Sequence, residues 1–217
     1  MVDRKTYIES SGNHAKHSLM NLDNYYIHAT GGILGQTNDE NRIIKILEDG
    51  KILVNKNKGK NRNYINSPAE YVCLVDTRRH NPYSKSRFLS AFDFFVLYSP
   101  CLLFSRDLEI HIPRLSHDKG KGDMVADMEA EVRYKGDLSL DKLQAITFPI
   151  HSAYEDLRIG GRTNTSQDRK IRHLEIFKNN IEFIENNFSN IPVLDLYSGR
   201  TITSGEVNGH IIYLKGM

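Results

Sequence analysis

Two polar residues two positions apart, His28 and Thr30, are the first candidates for chemistry in this chain. Residues 25–30 (YYIHAT) are otherwise aromatic and aliphatic, and His28 and Thr30 share one face if this segment is a β-strand. Gly31 and Gly32 follow at once, so the backbone there can approach a ligand closely. His28 and Thr30 are therefore candidate site residues.

A second segment, residues 129–134 (EAEVRY), alternates charged and apolar residues in the same way. Glu129, Glu131 and Arg133 fall on one face of a predicted strand, opposite Val132. Such a face is most often only solvated. Combined with the first segment, however, its carboxylates become candidate site residues.

A capped helix is predicted between these two segments. Thr37 and Glu40 have the spacing of a capping box, which satisfies unpaired backbone donors at a helix start. Apolar residues then recur at helical spacing through 39–49, and Gly50 supplies a C-terminal stop. The two chemical segments are thus predicted to belong to a domain that contains both helices and strands.

The remaining elements follow from runs of β-forming residues and from one long helical period. The longest predicted helix, 167–188, is assigned to packing against a sheet, and its His173 is expected to face water. We predict an N-terminal arm at 1–22 and a single α+β domain at 23–217. Strands are predicted at 25–30, 51–54, 71–76, 129–134 and 145–150, at one or both of 94–99 and 101–105, and late in the chain at 193–197 and 210–214.

Composition limits the function classes. The 217 residues include 29 Lys plus Arg and 27 Asp plus Glu, a net charge of +2, so neither a disordered chain nor a strong polyelectrolyte is expected. Cys73 and Cys101 lie in apolar runs, which predicts buried small hydrophobes in a reducing, cytoplasmic setting. No metal-ligand motif, secretory signal or membrane-length apolar run is visible.

The order of these segments resembles the ADP-ribosyltransferase superfamily, in which a His-x-Thr strand, an ILxxGxI helix and a Glu-x-Glu strand succeed one another. The matching segments here are 28–30 (HAT), 46–52 (ILEDGKI) and 129–131 (EAE). Residues 130–135 (AEVRYK) and 145–150 (AITFPI) are most similar to DarT-like toxins. The RNA 2′-phosphotransferases share the His-x-Thr start and are more distant.

The resemblance implies a split β-sheet core flanked by a few helices, and NAD as a substrate cleaved at the nicotinamide–ribose bond. It implies that Glu131 holds the ribose and stabilises its cation, that Glu129 orients or activates the acceptor, that His28 binds the adenosine ribose, and that Thr30 contacts the nicotinamide side or positions the backbone. Candidates for the nicotinamide wall are Tyr64, Tyr71, Tyr83 and Tyr98, and candidates for the pyrophosphate are Lys56, Lys58, Lys60 and Arg62.

Several partners and alternatives follow from the same resemblance. A mono-ADP-ribosyltransferase of this kind implies a protein or nucleic-acid acceptor, a toxin or effector role, an antitoxin or immunity protein, and delivery into a target cell by a non-classical route. An RNA 2′-phosphotransferase or an NAD-hydrolysing enzyme would keep the same fold. A non-enzymatic nucleic-acid-binding module would instead use the basic loops 56–62 and 78–87. The enzymatic hypotheses predict His28 and Glu131 on neighbouring strands around one cleft.

Overall fold

A computed structural model describes residues 20–30, 42–54, 70–79, 99–111, 131–150 and 167–216. Within these ranges the chain forms eight β-strands and three α-helices, with short 3₁₀ turns at Thr77–Arg79 and Leu140–Lys142. The strands are β1 (Tyr25–Ala29), β2 (Lys51–Ile52), β3 (Tyr71–Val75), β4 (Cys101–Ser105), β5 (Glu131–Lys135), β6 (Leu138–Ser139), β7 (Leu143–Phe148) and β8 (Val193–Asp195), and the helices are α1 (Arg42–Asp49), α2 (Gln167–Asn187) and α3 (Ser204–Lys215).

Six strands form one mixed sheet in the order β5-β3-β1-β4-β7-β8, and β2 pairs with β6 in a separate ribbon. Neighbouring strands of the large sheet are antiparallel except β7 and β8, which are parallel. The α+β class predicted from the sequence is therefore confirmed at this coarse level. No helix in the described ranges is both long enough and apolar enough to span a membrane.

The sheet is buried on both faces, which explains why its central strands are nearly continuous apolar runs. In β4, alternate residues belong to different clusters: Leu102 and Phe104 to the cluster that contains the helices, Cys101 and Leu103 to a smaller cluster on the other face. All four are completely shielded from solvent. Leu22, just before β1, packs into the smaller cluster.

Helix α1 confirms the predicted amphipathic helix over its described part. Its buried residues are Ile43, Ile46 and Leu47, which are spaced to fall on one side of a helix. Gly50 ends it with a φ of 63°, a left-handed conformation that glycine adopts at little cost. The predicted capping-box residues Thr37 and Glu40 lie outside the described residues.

Helix α2 confirms the long predicted helix, but the prediction that His173 faces water is wrong. His173 is buried, as is Asn180 two turns later, although both are polar residues in a polar stretch of sequence. α2 packs along α3, so its covered surface is wider than the apolar stripe of its own sequence indicates.

The C-terminal segment 210–214 (HIIYL) is not a strand, contrary to prediction, but the last turns of α3. The helix begins at a capping box in which the Thr203 hydroxyl accepts from the Glu206 main chain and the Glu206 carboxylate accepts from that of Thr203. Val207 and Ile211 are buried on α3, whereas Ile212 and Tyr213 are exposed. A local cap and packing on α2 outweigh the β-propensity of the apolar run.

Candidate functional site

The structure describes four of the eight residues proposed for the site. His28 lies near the end of β1 and Thr30 directly after it, while Tyr71 begins β3 and Glu131 begins β5. The remaining four predicted residues lie outside the described ranges and stay predictions: Glu129, Arg62, Tyr64 and Tyr98.

Pairing within the sheet is uneven at β1. β1 pairs with β4 at five register positions, and β3 pairs with β5 at five, yet β1 and β3 pair only at Ile27 and Val75. The sheet therefore divides into two halves that meet along residues 27–29 of β1 and Tyr71–Val75 of β3, a boundary that we call the seam. Main-chain groups along a divided sheet can be satisfied by side chains or by a ligand.

His28 occupies the seam. Its Nδ1 lies 3.1 Å from the main-chain oxygen of Cys73 on β3, so the imidazole bridges the two halves where strand pairing lapses. A carbonyl oxygen only accepts hydrogen bonds, so in this contact Nδ1 carries the proton and, in the neutral ring, Nε2 is the acceptor. This contact does not test whether His28 binds a ligand, which stays a prediction.

The prediction that His28 and Glu131 lie on neighbouring strands is wrong, because β3 lies between β1 and β5. Ile27 pairs with Val75, which pairs with Glu131, so position 131 belongs to the row of Ile27 and His28 to the next row. Adjacent rows face opposite sides of a sheet, and two strand spacings amount to about 10 Å. The two positions therefore lie two strands apart, in rows that face opposite sides of the sheet, and not around one face of it.

Thr30 anchors the backbone at the end of β1. Its hydroxyl donates to the main-chain oxygen of Pro100 at 2.9 Å, and its amide donates to the same oxygen at 3.0 Å. The residue is only 3% exposed. Of the two roles considered for Thr30, these contacts correspond to positioning the backbone.

A buried polar network that the sequence analysis missed lies at the other end of β1. Arg106 donates through Nε and Nη2 to the main-chain oxygen of Asp23, at 2.9 and 2.6 Å, and through Nη2 to Asp76 Oδ1 at 2.9 Å. The Thr77 hydroxyl donates to Asp23 Oδ1 at 2.8 Å. We call Asp23, Asp76, Thr77 and Arg106 the clamp, since they join the segments flanking β1, β3 and β4.

Electrostatics keep Asp76 ionised despite its burial. Burial raises the pKa of this carboxyl, but hydrogen bonds and charges from Arg106 and Arg78 oppose that effect, and the net pKa lies below its usual value. Arg106 also stacks over the Tyr26 ring, with its guanidinium carbon 4.4 Å from the centroid. Arg78, from the basic loop 78–87, is thus committed to Asp76 by an ion pair of 3.3 Å.

The two cysteines differ in exposure. Cys101 is completely buried, its thiol donates to the Ser99 oxygen, and burial raises the pKa of that thiol far above its usual range. Cys73, in the seam, is only half-buried. The prediction of a buried small hydrophobe therefore holds for Cys101 and only partly for Cys73, because β3 borders the divided part of the sheet.

Neither a metal centre nor a relative identifies this site. Among the described ranges, no group of three or more His, Cys, Asp or Glu side chains is arranged to hold a metal ion. Comparisons with protein-family models, with curated proteins and with solved structures found no match to the chain. Its function must therefore be inferred from its own residues and their arrangement.

Proposed function

We propose that this chain is a mono-ADP-ribosyltransferase that cleaves NAD at the nicotinamide–ribose bond and transfers ADP-ribose to a protein or nucleic-acid acceptor. The seam is the observation that carries the proposal. The strand of His28 and the strand that begins at Glu131 belong to opposite halves of a sheet that is joined at a single register pair. Such a boundary offers main-chain groups to a ligand while strands hold the side chains rigidly.

The roles assigned to His28 and Glu131 require one NAD molecule to extend across the seam, because the two positions lie two strands apart and in rows that face opposite sides of the sheet. The two riboses of NAD are joined through a pyrophosphate, so the groups that hold them need not be adjacent. His28 would accept a hydroxyl of the adenosine ribose at Nε2, since Nδ1 is committed to the Cys73 oxygen, and this requires the groups that bury Nε2 to make way for the ligand. Glu131 would hold the nicotinamide ribose on the other side of the seam.

The chemistry requires negative charge beside the reacting carbon. When the N-glycosidic bond breaks, nicotinamide leaves with the bonding electron pair and positive charge develops on the ribose. A carboxylate at position 131 would stabilise that charge, and the acceptor nucleophile would then bond to the same carbon and lose its proton to Glu129. Both carboxylates come from the sequence segment 129–131 (EAE), whose last residue begins β5.

Other residues would complete the site around the seam. Tyr71, half-buried at the start of β3, is the aromatic candidate that the structure describes, and it lies at the opposite end of β3 from Val75, the residue that pairs with Glu131. Thr30 would fix the backbone beside His28 through its two contacts with Pro100. Tyr64, Tyr98 and Arg62 remain candidates for the nicotinamide wall and the pyrophosphate.

The decisive experiment combines NAD, a mixture of acceptors and one carboxylate variant. The purified chain is incubated with NAD, cell protein, DNA and RNA, nicotinamide release is followed, and the macromolecules are analysed by mass spectrometry for added ADP-ribose. Glu131→Gln should abolish transfer without altering the unfolding transition. Glu48→Gln, which changes an exposed glutamate of α1, is the matched control and should leave the rate unchanged.

The same reactions separate the other enzymes of this fold from the transferase. Nicotinamide release with no modified macromolecule would assign NAD hydrolysis, and removal of a 2′-phosphate from RNA would assign phosphotransfer. Nucleic-acid binding that weakens steeply with salt, without nicotinamide release, would assign a binding module. Equal transfer rates for Glu131→Gln and the unmodified chain would refute the proposed site.

A toxin or effector role adds a cellular expectation. Expression of the active chain in a bacterial host should arrest growth, because uncontrolled ADP-ribosylation consumes NAD and alters the acceptor. Expression of Glu131→Gln should not arrest growth at equal protein level. A gene product that relieves the arrest by binding the chain would be the proposed antitoxin or immunity protein.

A further inference from the structure

We propose that Arg106 is a positioning residue that sets the width of the seam by holding the clamp closed. In this role Arg106 contacts no substrate; it fixes how far β1 stands from β3. The consequence for NAD binding rests on the function proposed above, whereas the consequence for the seam does not.

The first support is that Arg106 joins three segments through one planar group. Arg106 follows β4, Asp23 precedes β1 and Asp76 follows β3, and the guanidinium binds the other two at distances between 2.6 and 2.9 Å. The forked geometry of a guanidinium makes these contacts simultaneously, which an ammonium cannot reproduce.

The second support is the position of the clamp along the strands. Asp76 directly follows Val75, the β3 residue of the single register pair between the two halves of the sheet. From that pair towards Tyr71, the His28 ring also donates a hydrogen bond across the seam to the Cys73 oxygen. The clamp therefore closes one end of the seam, and a change there alters the spacing at His28.

The third support is burial. The Asp76 side chain is 4% exposed and that of Arg106 is 20% exposed, so the pair is largely shielded from competing water. Loss of Arg106 leaves the buried Asp76 carboxylate with the longer ion pair to the more exposed Arg78, which should cost more than loss of a surface ion pair. Removal of Arg106 should consequently release β3 from β1.

Thiol labelling measures this release directly, because the two cysteines report on different events. Cys73 lies half-buried in the seam, whereas Cys101 is completely buried in β4. Labelling of Cys73 under native conditions follows local opening, and labelling of Cys101 follows global unfolding. A Cys73→Ser background assigns the two rates to their residues.

Arg106→Met should raise the Cys73 labelling rate about tenfold or more while the Cys101 rate rises much less. Arg106→Lys should recover only part of the effect, since charge without the fork restores only some contacts. Thr77→Val removes one hydrogen bond of the clamp and serves as the milder variant if Arg106→Met does not fold. Lys142→Met removes an exposed ion pair to Asp107, next to Arg106, and should leave both rates unchanged.

Equal acceleration at both cysteines would overturn the proposal, since it would show a general loss of stability. An unchanged Cys73 rate in Arg106→Met, or in Thr77→Val if that variant is needed, would overturn it as well. NAD affinity is measured in parallel by calorimetry and should fall about tenfold in Arg106→Met. If the unmodified chain binds no NAD, the proposed function fails while the labelling result still decides the role of Arg106.

Discussion

The two ends of β1 are held in different ways. At its start, Arg106 and Asp76 form a shielded ionic network with Asp23, and the guanidinium also covers the Tyr26 ring. Towards its end, individual hydrogen bonds connect His28 to Cys73 and Thr30 to Pro100. The strongest electrostatic constraint thus lies away from His28 and Thr30, but next in register to Glu131, which pairs with Val75.

This difference means that the residues that hold β1 in place are not the residues at which β1 is proposed to bind a ligand through His28. A ligand that enters a sheet must replace existing contacts, and single neutral hydrogen bonds are replaced far more easily than a buried ion pair. Binding regions are commonly drawn from the less stable parts of a fold for this reason. The clamp fixes one end of the seam, and individual hydrogen bonds hold the other. β1 can therefore change its contacts at His28 while the rest of the sheet stays paired.

The largest expected effect on stability comes from a substitution in the hydrophobic core where β4 pairs with β1. Phe104 on β4 pairs with Tyr26 of β1 and is fully buried, so Phe104→Ala should lower the free energy of unfolding by about 3–5 kcal/mol. Urea denaturation measures the loss. Tyr213→Ala removes a 67%-exposed aromatic residue of α3 and is the control, with almost no loss expected. Similar losses for the two variants would contradict the assigned core.

A smaller effect is expected from acid, which acts on the clamp. The folded-state pKa of Asp76 lies below its ordinary 3.8, so its contribution to stability is complete above that value and is lost as the pH falls through the folded pKa. The charged groups facing it are Arg106 and Arg78, with Asp23 nearby. Unfolding free energies measured from about pH 5 to about pH 3 should therefore fall more steeply for the wild type than for Asp76→Asn. Parallel curves would show that Asp76 does not carry this pH dependence.

Local patterns predicted the elements of this comparison but not their arrangement. Sequence patterns were sufficient to predict four elements: the apolar runs predicted β3, β4 and β7, and the helical period predicted α2. In each case the pattern lies within one continuous segment of the chain. The strand order could not be predicted in this way, since pairing of β3 between β1 and β5 depends on contacts between distant segments. The neighbouring-strand expectation for His28 and Glu131 failed for that reason.

The clamp and α3 are two further features that short sequence patterns did not predict. Asp76 and Arg106 are 30 residues apart, and each looks like an ordinary polar residue after a strand. The β-forming residues of 210–214 gave the wrong element because the capping box at Thr203 and Glu206 was overlooked. That cap was visible in the sequence as a Thr followed three positions later by a Glu, whereas the clamp was not.

Substitution of His28 tests the end of β1 that individual hydrogen bonds hold in place. His28→Ala removes the hydrogen bond from the ring to the Cys73 oxygen, so this lost contact should cost about 1 kcal/mol of stability. If the proposed function is right, NAD affinity measured by calorimetry should fall at least about tenfold, because a ribose contact is lost.

His111→Ala is the matched control for that experiment. His111 also makes a main-chain contact through Nδ1, accepting from the Lys135 amide at 3.2 Å, but it lies on the outer side of β5. We expect NAD affinity to stay at the wild-type value in this variant. An equal fall in both variants would mean that any lost histidine contact disturbs binding, and would remove the special role of His28.

The smallest expected effect tests whether burial, and not charge alone, distinguishes the clamp. Lys142 and Asp107 form an ion pair of 2.7 Å beside Arg106, but both side chains are about half exposed or more. Lys142→Met should leave the urea midpoint unchanged within error, because exposed ion pairs are screened by water and salt. A shift as large as that of Arg106→Met would mean that the turn after β4 responds to any lost charge. The clamp would then owe its effect to its location in this turn, and the contrast between the two ends of β1 would need a different cause.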